Sequence, residues 1–387
     1  MMLSVAVLFA FRVLRDRQEA GKEETKEEAA KEDAAEGSEE PKEQYKCMGK
    51  VLSITEDGSL VTDISPAKLS LYDIDQDDLT EVYVGDNRYI LPVEIDVKLT
   101  TFWGRTRLSY DEEENHMLLI RDAQDFAMME GYTDKVIGED VSVELLQSDG
   151  YAMTMLDPLG LTENVANFRP VHTGRIARGV LYRGHSPIDP KYKNIRCRCS
   201  DDLAWETQIN TAINLNQDEE EVRNVVYNEC PDSYYRFLFD RGAVSAIQLD
   251  GRRSNERPFI EGIASHMLFL MENDPPYMIH CRMGKDRAGF VIALLQALEG
   301  TPYDQIGEEY AITFRNYYGV QKGTYMDEYN ITDGANTFLL MMKGGGGNTF
   351  KGDDGTRCRE AARSYLARGG LSETEIDTLE KKLAKEQ

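Results

Sequence analysis

Residues 279–289, IHCRMGKDRAG, gather a thiol, two guanidinium groups, an ammonium and a carboxylate in one short stretch. Arg287 follows Cys281 by six residues, with Gly284, Lys285 and Asp286 between them. The run YMIH (277–280) before it reads as a buried strand, and GFVIALLQALE (289–299) after it as an apolar helix. The helix is expected to start near Arg287–Gly289. A strand-to-helix turn of this kind brings successive backbone N–H groups and a helix N-terminus around one point, where a tetrahedral oxyanion binds. A helix N-terminus and nearby cations also favour a thiolate, so Cys281 is expected to be the nucleophile. The Arg287 fork can hold two phosphoryl oxygens at once. Arg282, Met283, Gly284, Lys285, Ala288 and Gly289 are the expected substrate-binding lining, and fixed donors of this kind stabilise charge on a transferring phosphoryl group. Gly284 allows a turn that a side chain would block, and Gly289 allows close helix packing. His280 precedes the nucleophile on a buried strand and is expected to hydrogen-bond the loop rather than to move a proton.

A leaving oxygen needs a proton, and a covalent intermediate needs a base to activate water. Two carboxylates compete for this role. Asp286, inside the loop, is the first candidate, although it could instead pair with Lys285 or Arg287. Asp250, 31 residues before Cys281, is the second, although before Gly251 it could serve only as a turn former. Arg252, Arg253 and Arg257 cluster near Asp250 and are candidate contacts to a second phosphate, set against a solvated surface loop in which Glu256 offers an ion-pair partner. Lys285 is a further candidate for a second anionic group. Neither this chemistry nor the residue pattern calls for a metal or cofactor. Cys197 and Cys199 lack a second ligand pair, which argues against zinc.

The His-Cys-x5-Arg pattern resembles the cysteine-dependent protein tyrosine phosphatase superfamily. Gly284-Lys285-Asp286-Arg287 is similar to its bacterial and fungal GKDR branch, which overlaps the dual-specificity and phosphoinositide phosphatases. NFRPVHTGRIARGVLYRGHSP (167–187) is similar to the segment that leads into that branch's domain, with Gly184 where the branch has Ser, and TAINLNQDEEE (211–221) to its following strand and acidic turn. The resemblance spans about residues 160–385. It implies a phosphocysteine mechanism with an in-loop Asp as the suspected acid, and a phosphoprotein, phosphoinositide or inositol phosphate as substrate. A phosphate-recognition module with little turnover is the non-enzymatic alternative. Arg169 and Arg183 in the leading segment could serve as core-edge ion pairs or as ligand contacts. Cys199 and Cys230 are candidates to resolve an oxidised Cys281.

The elements that must position the loop lie in 151–387, where VLYRG and TAINLN read as strands and 258–272 as a helix with Ile260, Ile263, Met267 and Leu268 on one face. Ser372 and Glu375 form a capping box before a last helix, and Gly344–Gly347 reads as a mobile loop. Alternating strands and helices predict the α/β class, here a phosphatase domain with a central, mostly parallel sheet flanked by helices. Before it, 47–150 reads as a small β-barrel-like domain, with strands in GKVLSI, SLVTDI, TEVYVG, RYILPVEIDV and EDVSVELL. Gly49, Val51, Ile54, Gly58, Leu60, Thr62 and Ile64 resemble the C-terminal barrel of the S-adenosylmethionine hydroxide adenosyltransferase family. Residues 1–18 begin with the apolar run MMLSVAVLFAF, expected to be an export signal or membrane tether, with a cell-envelope location; a cytoplasmic tail is the alternative. Residues 19–46 form an acidic linker, and its 19–43 portion holds eleven Asp/Glu against four Lys.

The whole chain of 387 residues carries a net charge of −25. That field repels nucleic acid and anionic lipid. Residues 280–289 run against it, with Arg282, Lys285 and Arg287 opposed by Asp286 alone. A phosphorylated substrate is therefore the expected partner, captured at one local site. No residue pattern speaks to oligomeric state.

Overall fold

The computed structural model describes residues 45–55, 59–75, 78–85, 87–94, 107–111, 116–120, 136–146, 162–188, 195–251, 254–318, 320–344 and 349–384. The apolar segment 1–18, the acidic run 19–43, Gly58, Arg252, Arg253 and most of the Gly344–Gly347 loop lie outside the described residues. Among the described residues no helix is long and apolar enough to cross a membrane. The chain divides into two compact units, Met1–Leu146 and Gln147–Gln387.

The first unit contains β1 (Lys46–Ile54), β2 (Leu60–Thr62), β3 (Leu79–Val84), β4 (Asn87–Glu94), β5 (Arg107–Asp111), β6 (His116–Ile120) and β7 (Asp140–Leu145). They pair in the order β1-β2-β6-β5-β4-β3-β7, and β7 returns to β1 to close the ring. Closure leaves no unpaired sheet edge. Val51, Leu60, Ile64, Val82, Val84, Val141 and Val143 bury themselves at its centre. Strands β5 and β6 have no counterpart among the expected strands.

The second unit holds β8 (Arg169–Val171), β9 (Leu181–Gly184), β10 (Thr211–Asn214), β11 (Val244–Ala246) and β12 (Tyr277–His280), in the order β11-β10-β12-β9-β8. The pairings β11–β10, β10–β12 and β12–β9 are parallel, and β8–β9 is antiparallel. The sheet is mixed, with its antiparallel member at one edge. All four residues of β10 and of β12 are buried, as expected for strands covered on both faces. Longer helices surround the sheet: α1 (Ile195–Glu206), α2 (Glu219–Asn228), α3 (Tyr234–Asp240), α4 (Arg257–Glu272), α5 (Asp286–Leu298), α6 (Tyr303–Tyr318), α7 (Ala335–Lys343), α8 (Thr356–Arg368) and α9 (Glu373–Leu383).

The apolar run that follows the loop becomes α5, where Val291, Ile292, Leu294 and Leu295 are fully buried. Each contributes about 1.5–3 kcal/mol by leaving water, which anchors the helix whose N-terminus carries the loop. In α4, Ile260, Ile263 and Met267 face the core, but Leu268 is 38% exposed. Leu268 follows Met267 directly and so lies about 100° round the helix from it; Leu270 takes the buried place instead. Ser372 and Glu375 form the expected capping box at the start of α9, and Asp218 with Glu221 forms another at α2. Gly344 ends α7 in the left-handed region at φ 87°.

One buried carboxyl predicts a pH response. Burial pushes Glu299 up to about 7, with Arg175 opposing, Glu380 adding to the rise and Arg359 opposing. The Arg175 Nε lies 3.2 Å away. Between pH about 4.5 and 7 the folded chain holds a proton that the unfolded chain has released, so stability falls as pH rises through this window. Glu299→Gln is expected to remove that loss, adding about 2 kcal/mol at pH 8 and little at pH 4. Thermal melts at the two pH values check this; equal shifts at both would overturn it.

Candidate active site

Strand β12 ends at His280 and α5 begins at Asp286, one residue before the expected start. Cys281 sits at the base of the intervening loop and is 3% exposed. The carbonyls of residues 282–285 are each engaged by surrounding groups. Ser186 N–H donates to Arg282 O at 2.9 Å. Tyr317 Oη donates to Met283 O at 2.8 Å, and Asn167 Nδ2 reaches the same oxygen at 3.4 Å. Arg183 Nη2 donates to Gly284 O and, at 3.3 Å, to Lys285 O. Gly289 N–H completes the set at Lys285 O, 2.8 Å away, as the first turn of α5. In a trans peptide the C=O and N–H point opposite ways. Carbonyls held outward therefore turn the N–H groups of residues 283–286 toward the inside of the loop, where a helix N-terminus adds its partial positive charge.

Gly284 is required at its position. Its φ is +65°, and a Cβ there would lie 2.1 Å from Gly184 O and 2.5 Å from Gly184 C. The loop thus rests on the backbone of β9. Gly184 is itself confined: a Cβ on it would meet Phe168 Cδ2 at 3.1 Å and Met278 Cε at 3.2 Å. At the other end, a Cβ on Gly289 would stand 3.1 Å from the Tyr310 ring, and Ala288 is buried in the core.

Arg287 is oriented by three bonds. Nη1 donates to Leu215 O at 3.0 Å and to Leu249 O at 3.4 Å, and Nη2 to Asn216 Oδ1 at 2.7 Å. A guanidinium has five donors. Among the described residues these bonds leave Nε–H and one Nη2 hydrogen, an adjacent pair suited to two oxygens of one phosphoryl group. Asn216 is held in turn by Asn214, whose Oδ1 accepts its N–H at 2.9 Å.

Both candidate acids lie near this loop. Asp286 is exposed in the first turn of α5, with Tyr310 Oη 3.5 Å from its Oδ1. Asp250 is exposed between Leu249, whose carbonyl Arg287 uses, and Gly251, where a Cβ would lie 3.1 Å from Arg287 Cγ. Lys285 is held by Tyr318, its Nζ donating to Tyr318 Oη at 2.8 Å while lying 5.8 Å from the Phe314 ring centre. Arg282, within the loop, is exposed. Arg257 opens α4 with its side chain 85% exposed, and it pairs with Glu261 at 2.7 Å.

Burial pulls the His280 imidazole down to about 3, so it stays neutral at physiological pH. A backbone hydrogen bond at Cys281 raises it in opposition, as expected of a histidine that bonds the loop, while its Nε2 faces away and meets Tyr235 Oη at 2.8 Å. Arg169 and Arg183 are ion pairs. Glu309 Oε2 is 2.6 Å from Arg183 Nη1, and Glu309 Oε1 is 2.7 Å from Arg169 Nη2. Burial pulls Arg169 down to about 10, still charged at neutral pH. For Glu309 burial raises the carboxyl, but Arg169 and Arg183 outweigh it and hold the group below the usual range.

Cys199 and Cys230 are buried thiols outside any disulfide, and burial pushes Cys199 up to about 12. Among the described residues no cluster of three or more His, Cys, Asp or Glu is placed to hold a metal ion. Asn167 and Asn216 lie in stretches that carry the resemblance but are not singled out by it, and Glu309, Tyr317 and Tyr318 have no counterpart in the sequence reading. A glutamate on the buried face of α6, together with two arginines in the leading segment, is the signal that could have found Glu309.

No curated protein matches the chain. One similar solved structure is that of an uncharacterized conserved protein from Thermotoga maritima, 17% identical, with a TM-score of 0.22. The match covers 28% of this chain and 39% of that one, and a likeness this slight carries no argument. The family model described as the tyrosine phosphatase family matches residues 162–385. That range holds every loop contact described above and more than half of the sequence, and the chain belongs to the tyrosine phosphatase family.

Proposed function

We propose that this protein hydrolyses phosphomonoesters through a phosphocysteine intermediate. The supporting observation is the loop itself, its carbonyls engaged outward around Cys281 and Arg287. Cys281 Sγ attacks phosphorus as the bond to the leaving oxygen breaks, and a carboxylic acid protonates that oxygen. Water then attacks the phosphocysteine, the same carboxylate taking its proton, and phosphate leaves with the thiolate restored. The N–H groups of the loop and the Arg287 fork meet the equatorial oxygens in both steps. No metal takes part in this scheme.

Asp286 is the proposed acid, with Asp250 as the competing donor. In pH profiles of kcat, Asp286→Asn is expected to flatten the basic limb and lower the maximum about 100-fold, with Asp250→Asn changing either by less than about threefold. The reverse pattern would transfer the role to Asp250, and two unchanged profiles would remove both.

The substrate reading is a phosphotyrosine protein. Lys285, half-buried against Tyr318 in the loop, also supports a phosphoinositide or inositol phosphate of the same mechanism. Turnover of phosphopeptides, phosphoinositides, inositol phosphates and p-nitrophenyl phosphate in chelator tests the proposal. Phosphate binding without turnover of any of these would leave a recognition module.

A further inference from the structure

Helix α6 presents Glu309, Thr313 and Tyr317 at successive steps of four residues, hence on one face. Each meets a group that holds the loop. Glu309 binds Arg183, which donates to Gly284 O and Lys285 O. Thr313 Oγ1 accepts from Arg169 Nη2 at 2.9 Å and from Asn167 Nδ2 at 3.4 Å. Asn167 Nδ2 and Tyr317 Oη both reach Met283 O. Arg169 also donates to Glu309 O at 3.0 Å, tying the leading segment to the helix.

This arrangement is costly as a stability device. Arg183 is fully buried and Glu309 is 7% exposed. Desolvating an Arg–Glu–Arg triad offsets most of its Coulombic gain, and such groups can instead select one conformation. Here the conformation selected is the one in which the peptide planes of 283–285 turn the Met283 carbonyl to Tyr317 and the Gly284 and Lys285 carbonyls to Arg183, which Glu309 holds. Were those planes to rotate, the N–H groups would leave the inside of the loop, although Cys281 and Arg287 stayed in place.

We propose that Glu309 and Tyr317 are positioning residues for phosphoryl transfer, acting from one face of α6 to aim the loop's N–H groups at the transferring phosphoryl group. Tyr317 acts directly on Met283 O, and Glu309 acts through Arg183. The proposal rests on the phosphatase reading of the loop. Because the donors are aimed at the charge distribution of the transition state, their misalignment lowers kcat more than it weakens ground-state binding.

The test uses the full chain with p-nitrophenyl phosphate as substrate, and vanadate and inorganic phosphate as competing inhibitors. Tyr317→Phe keeps the ring on which Arg196 lies and removes one hydroxyl; it is expected to lower kcat about 10-fold with KM within threefold. Glu309→Gln keeps the side-chain shape and is expected to cost about 100-fold in kcat. In both variants vanadate, which imitates the five-coordinate transition state, is expected to weaken by about the same factor as kcat falls, while phosphate moves by less than threefold. Thermal melts and far-UV circular dichroism report the folded fraction. Should Glu309→Gln fail to fold, Tyr317→Phe decides the matter alone. Unchanged kcat and vanadate affinity in folded Tyr317→Phe would overturn the proposal, as would a kcat loss explained by the folded fraction. Cys281→Ser is the control: if it retains turnover, the phosphocysteine reading fails whatever the α6 variants do, and if it alone is inactive, only the positioning claim falls.

Discussion

Cys281→Ser is expected to lower p-nitrophenyl phosphate turnover at least about 10,000-fold at neutral pH, with the protein still folded and still able to bind phosphate. A serine hydroxyl is a far weaker nucleophile than a cysteine sulfur. It is also a poorer leaving group when water attacks the intermediate, so both steps suffer. The contacts that hold the loop do not involve the sulfur: Arg183, Ser186 and Tyr317 bind its carbonyls, and Leu215, Leu249 and Asn216 hold Arg287. Phosphate affinity, followed by calorimetry, should therefore stay within about threefold. Persistent turnover would remove Cys281 as nucleophile. Loss of both turnover and phosphate binding would mean that the thiol also helps to shape the pocket.

Gly284→Ala is expected to be the most damaging single-methyl change in the loop. The added Cβ would lie 2.1 Å from Gly184 O, far inside contact distance, and the obstacle is backbone rather than a mobile side chain. The φ of +65° adds strain for any residue with a Cβ. A positive φ costs about 1 kcal/mol and overpacking about 1–3 kcal/mol, so a loss of about 2–4 kcal/mol is expected. Because β9 cannot yield without breaking its pairing to β12, the loop should give way first, carrying the Gly284 and Lys285 carbonyls off Arg183. Turnover should fall at least about 100-fold even where the variant is folded. A variant with wild-type turnover and melting temperature would show that the contact relaxes freely.

Much of the loop was legible because its parts are neighbours in the chain. A buried strand, Cys281, Gly284, Arg287 and an apolar helix follow one another, and local spacing is enough to read them. The groups that aim the loop come from elsewhere and carry no local mark. Asn167 and Arg183 lie about a hundred residues before it, and Asn216, Glu309 and Tyr317 are brought in by sheet pairing and helix packing. Arg169 and Arg183 were visible, but their role was open until Glu309 was seen between them. The mixed sheet departs from a fully parallel one at β8, whose Arg169-Pro170-Val171 is too short and too proline-marked to read as a strand. Strands β5 and β6 escaped notice for a related reason: the acidic run Glu112–Asn115 between them outweighs their short alternation. Leu268 shows the limit of periodic reading within a helix, since one step of the chain separates a core residue from an exposed one.

The contact between Gly284 and Gly184 has a consequence for how activity is acquired. The register that places His280 beside Gly184 joins strands nearly a hundred residues apart, and α6 must then close on the loop from its C-terminal side. Pairing at such separations is slow to form, because loop-closure entropy is lost before the contacts compensate for it. The Cys281–Arg287 segment therefore has no competence of its own, and a truncated chain lacking either 167–186 or 309–317 would carry the motif without its shape. During synthesis Cys281 emerges before the helix that steadies its loop, so on the proposed mechanism a nascent chain would stay inert until that helix had docked.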